Sequence, residues 1–90
     1  MIREELSEEY VELLFMSEIE FDEAIIGIAE RIGMEPVVAY DIDKIIEILS
    51  RDMTEDEAIE YFEYNILGAY VGDRTPIYVN TIKKAPIARG

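Results

Sequence analysis

The sequence predicts a small α+β domain: an N-terminal helix, a β-hairpin, a two-helix hairpin packed on it, and a short C-terminal strand. Three observations carry this. Apolar residues recur at helical spacing through 42–49 and again through 54–66. Two short runs rich in Ile and Val flank a Gly-Met-Glu-Pro turn, and a third run, Ile77-Tyr78-Val79, follows Pro76. The rival is an all-α bundle in which 24–32 is helical.

Taken in order, Leu6, Tyr10, Leu13 and Leu14 form an apolar stripe, while Glu4, Glu5, Glu8, Glu9 and Glu12 fill the other positions. This reads as an amphipathic helix with Ser7 as its N-cap and an almost wholly glutamate polar face. Residues 17–21 break the pattern. In 24–30, dense isoleucines, Gly27 and the brevity of the run before Gly33 favour a strand over a helix. Gly33 to Pro36 then turns the chain in a loop of about four to five residues, and Val37 to Tyr40 is the second strand of a hairpin.

Asp41 caps a helix whose apolar stripe is Ile42, Ile45, Ile46 and Leu49, with Asp43, Lys44, Glu47 and Arg51 facing away. Thr54 and Glu57 stand at capping-box spacing, and Glu55, Asp56 and Glu57 sit at the positive end of the helix dipole. That helix continues through Ala58, Ile59, Phe62 and Ile66 and stops at Gly68, read as a left-handed cap. Gly72-Asp73 marks a turn, and Pro76 marks either the start of the last strand or a sheet edge. Residues 1–80 make one compact domain; 81–90, which lack periodicity, read as a basic flexible tail.

Half of the 90 residues are hydrophobic, so the chain has a core to bury despite a net charge of −13. The charge is uneven: residues 1–23 hold nine acids and one base, 24–67 eleven and three, 68–90 one and four. Such a chain repels polyanions and anionic lipid, so direct nucleic-acid or membrane binding is not expected, and a basic protein is the expected partner. Nothing at the N-terminus resembles a signal peptide, which reads as a cytoplasmic protein. With no Cys and no His, thiolate chemistry, disulfides and imidazole proton transfer are excluded.

No catalytic pattern emerges, and no cofactor or metal is expected. Asp41-Ile42-Asp43 begins like a calcium loop, but Ile46 stands where that loop requires glycine. Gly68 and Gly72 match no phosphate-binding pattern. Tyr61, Phe62, Tyr64, Asn65 and Tyr70 cluster around the end of the last helix. Asn65 is expected to bond the backbone of the following loop, and Tyr61 and Tyr64 to flank the core stripe or form a contact surface.

The stretch Met53-Thr54-Glu55-Asp56-Glu57-Ala58-Ile59-Glu60-Tyr61-Phe62-Glu63-Tyr64-Asn65 is followed by Gly68-Ala69-Tyr70-Val71-Gly72 and Thr75-Pro76. Together with Asp22 to Ile28 and Tyr40-Asp41 upstream, it resembles a group of small uncharacterised acidic proteins of bacterial and phage genomes, over about residues 22–79. The resemblance implies a compact unit with an appended helix and tail and an origin in a mobile element; it implies no activity.

The functional expectation is therefore a non-enzymatic interaction protein, in its sharpest form a phage-borne inhibitor that mimics DNA and occupies a basic nucleic-acid-binding surface of a host protein. Its interaction residues are expected among Glu5, Glu8, Glu9, Glu12, Glu55, Asp56, Glu60, Tyr61, Glu63, Tyr64 and Asp73. The alternative is a small-molecule-binding or enzymatic domain with its site between the last helix and the 72–76 loop. A third expectation is a homodimer formed through exposed tyrosines or the strand edge at 77–79.

Overall fold

The computed structural model describes residues 2–10 and 12–82. Its elements are α1 (Ile2–Glu9), a 3-10 turn (Ile19–Ala24), β1 (Ile25–Ala29), β2 (Val37–Asp41), α2 (Ile42–Leu49), α3 (Glu55–Tyr61), a π-helical turn (Phe62–Leu67) and β3 (Ile77–Val79). The fold is α+β. Of the described residues 43% are helical and 16% lie in strands, so the all-α alternative falls.

The strands form one sheet in the order β1-β2-β3. β1 and β2 are antiparallel, with Ile28 opposite Val38 and Ala29 opposite Val37, and the register slips at a bulge between Ile25 and Gly27. The connection spans 30–36, longer than the sequence suggested, and turns through Gly33 at φ 82, a left-handed conformation that glycine adopts without a Cβ clash. β3 joins the other side of β2 in parallel, with Tyr78 beside Tyr40. A parallel neighbour needs a crossover, and α2, α3 and the π turn supply it.

β2 is thus the central strand, and Val37, Val38, Ala39 and Tyr40 are all buried. The helices cover one face. Val38 and Tyr40 pack there with Phe21, Ile25, Ile45, Ile48, Phe62 and Ile66. Tyr78 stacks on Tyr40 at 6.0 Å and meets Phe62 edge-on at 5.6 Å, which ties β3 to the π turn.

Three sequence-based assignments are corrected. The first helix begins four residues earlier than its expected stripe, with Ser7 exposed inside it rather than capping it, and it ends at Glu9. Arg3 holds the helix start, and Glu12 at φ 63 turns the chain away from helical geometry. Gly68 lies at φ −82, ψ −5, in the right-handed region, because the Ala69 amide closes the end on the Ile66 carbonyl without a left-handed residue. In α2 the stripe includes Ile48, 4% exposed, which deepens the core contact beyond the predicted four residues. The tail expected over 81–90 lies, from residue 83 on, outside the described residues.

Candidate acidic interface and its groove

The carboxylates divide according to where the bases are. The described residues hold five bases, Arg3, Arg31, Lys44, Arg51 and Arg74. Four of them are ion-paired: Arg3 with Asp22, Lys44 with Glu47, Arg51 with Glu23, and Arg74 with both Glu12 and Glu35. Glu5, Glu8 and Glu9 on α1 are exposed without a cationic partner among the described residues, and α3 carries a second such set. Glu57 is held in the capping box, accepting from the Thr54 amide at 3.0 Å while Thr54 Oγ1 accepts from the Glu57 amide at 3.2 Å. Glu55, Asp56 and Glu60, with Glu63 on the π turn, are exposed and have no cationic partner among the described residues.

The capping box sets this phase. Starting the helix at Glu55 sends Ala58, Phe62 and Ile66 inward and leaves the acids on the outer side. Ile59, expected in the core stripe, is 39% exposed. It faces a groove between α2 and the α3–π segment rather than the core. The groove measures about 620 Å³; Ile42, Ile46, Ile59 and Leu67 give it an apolar lining, and Glu47, Glu55 and Glu63 stand on its sides. Leu67, at the end of the wide π turn, is 51% exposed. Ser50, at the C-cap of α2, also lines the groove, and its hydroxyl is the one buried side-chain polar atom without a hydrogen-bond partner among the described residues.

A second concavity of about 290 Å³ opens where the alternative reading placed a site. Tyr61, Asn65 and Ile66 form one wall, Thr75, Pro76 and Tyr78 another, and the segment 14–18 closes it. Thr75 is committed to the loop itself: its Oγ1 donates to the Gly72 carbonyl at 2.6 Å and accepts from the Val71 amide at 2.9 Å. Gly72 at φ 111 makes that tight return feasible. Asn65 does not bond the following loop as expected. The π turn leaves it exposed, and its amide has no partner among the described residues.

All eleven expected interaction residues are exposed, but they do not form one set. Glu5, Glu8 and Glu9 lie on α1; Glu55, Asp56, Glu60 and Tyr61 on α3; Glu63 and Tyr64 on the π turn. Glu12 has left the helix and pairs with Arg74 at 3.1 Å, while Asp73 Oδ1 accepts from the Tyr70 hydroxyl at 3.4 Å. Arg74 joins the end of the α1 segment to the hairpin loop through Glu12 and Glu35.

Sequence reasoning also missed Asp22, an acid only 7% exposed. Arg3 Nε donates to its Oδ2 at 3.0 Å and Arg3 Nη2 to its Oδ1 at 2.6 Å, and Nη2 also donates to the Met16 carbonyl at 3.0 Å. That hydrogen-bonded carboxylate raises the Arg3 pKa above its ordinary value. The available signal was a lone base among nine acids in residues 1–23.

Among the described residues no group of three acids could hold a metal, and no helix is long and apolar enough to cross a membrane. No family model matches the chain, and no curated protein or solved structure matches it either.

Proposed function

We propose that this chain is a non-enzymatic interaction protein that binds a basic protein partner through the carboxylates of α3 and the π turn. The observation that carries the reading is the set Glu55, Asp56, Glu60 and Glu63, exposed on one helical segment with no cation beside them, while other carboxylates neutralise most of the described bases. Uncompensated like charge raises local potential and speeds encounter with a basic surface. In the sharper form of the proposal the partner's surface is one that binds nucleic acid, and the protein acts as an inhibitor of mobile-element origin.

Affinity capture from host lysate, in low and high salt, tests this with two charge-reversed variants. Capture of a basic nucleic-acid-binding protein should weaken with salt, vanish for Glu55→Lys/Glu60→Lys, and persist for Glu5→Lys/Glu8→Lys. Salt-insensitive capture, or capture of nothing basic, overturns the proposal.

The small-molecule reading keeps one observation in its favour, the concavity between Asn65 and Thr75. A ligand-library thermal shift screen decides it. A binder at 100-fold over its Kd adds about 2.7 kcal/mol, an effect that Asn65→Ala should reduce, and a melting point unmoved across the library rejects the site.

A further inference from the structure

We infer that the groove between α2 and the α3–π segment receives a short basic amphipathic helix of a partner protein, with its aliphatic side chains on Ile42, Ile46, Ile59 and Leu67 and its Lys or Arg side chains on Glu55 and Glu63, Glu47 being held by Lys44. This rests on the interaction reading above and names the kind of segment bound. Two features of one place support it. The lining is apolar yet uncovered, with Ile59 39% and Leu67 51% exposed, so a ligand that buries them gains by the hydrophobic effect. Glu55 and Glu63 stand at its side with no cation among the described residues, so a purely apolar ligand would strip water from them without return, and a cationic one restores the lost interactions.

The dimensions set the length. α2 has eight residues, about 12 Å at 1.5 Å per residue, which matches two helical turns of a ligand with anchors at i and i+3 or i+4. Nucleic acid is disfavoured because phosphate would meet the same carboxylates. A second copy brings a net charge of −13 to an acidic rim and is disfavoured for the same reason.

The test titrates the whole chain with two synthetic labelled peptides, followed by fluorescence anisotropy at low salt. One carries Leu and Lys in a helical pattern with Leu on a single face; the other replaces every Leu by Ser at equal charge. The Leu/Lys peptide should bind about tenfold or more tighter, and Ile59→Ala/Leu67→Ala should erase that advantage while circular dichroism stays unchanged. Both residues are exposed, so the variant leaves the core intact. Glu55→Lys/Glu63→Lys should weaken both peptides. Equal affinity for the two peptides, or indifference to the Ile59 and Leu67 changes, overturns the groove while the acidic interface stands. Binding of neither peptide overturns both. A dimer in light scattering that Ile59→Ala/Leu67→Ala dissociates assigns the groove to a second copy and also overturns the inference.

Discussion

Among the described residues, Arg3 and Asp22 form the one ion pair in which a carboxylate is almost fully withdrawn from water, at 27% and 7% side-chain exposure. The guanidinium also lies 4.7 Å from the centre of the Phe15 ring, so one side chain clamps α1 to the 3-10 turn and to the segment before it. Removing the base strands a buried charge, and Arg3→Ala should cost about 3 kcal/mol in a denaturant titration. Arg3→Ala/Asp22→Ala should cost less than the two single changes added together; simple additivity would mean that the pair is not coupled.

Two tyrosines bear on alkaline stability. Burial pushes the phenols of Tyr40 and Tyr78 up, Tyr40 against a smaller opposite effect from the Met16 amide that donates to its hydroxyl at 2.9 Å. With the folded pKa above the unfolded value of about 10, this contribution is fully present below that value and is lost as pH rises through the folded one. The denaturant midpoint should therefore fall above about pH 10, and less steeply for Tyr78→Phe, which keeps the ring contacts. An equal decline in that variant would place the alkaline effect elsewhere.

Among the elements, α3 depends most on its start. Its seven residues are too few to persist as an isolated helix, and in them only Ala58 is buried before the π turn adds Phe62 and Ile66. The Thr54 and Glu57 bonds are thus a large share of what holds the segment in phase. Thr54→Ala should cost about 1 kcal/mol, and it should also weaken partner binding, since a frayed first turn displaces Glu55 and Asp56. A loss of stability with unchanged binding would separate the cap from the interface. β3 presents three residues with Ile77 40% exposed, and its shortness limits edge pairing with another chain.

For the whole molecule, 21 acids against eight bases predict that salt stabilises the fold. Exposed like charges on α1 and α3 repel, and screening acts over about 10 Å at 0.1 M. The denaturant midpoint should rise from low salt to moderate salt; an unchanged midpoint would mean that the pairs around Arg51 and Arg74 already balance the repulsion. Charge reversal on α3, Glu60→Lys, should reduce the salt effect and lower partner affinity together, and a variant that loses affinity without a smaller salt response would disconnect the two.

The elements defined by contacts between near neighbours in the chain were legible without coordinates. The Thr54–Glu57 box, the Asp41 cap and the choice of strand for 25–29 all rest on residues close together in sequence, so spacing and residue type suffice. What spacing does not encode is which distant segments meet. Arg3 reaches across nineteen positions to Asp22, a contact that local spacing does not encode, and the first helix lies at Ile2–Glu9 with Glu12 beyond it at φ 63. The parallel pairing of β3 with β2, and with it the groove that exposes Ile59 rather than burying it, follows from how α2 and α3 cross over the sheet. Residue types marked the acids as exposed, but only the positions of the bases in space show which carboxylates stand uncompensated, because charge neutralisation acts over ångströms and not over sequence separation.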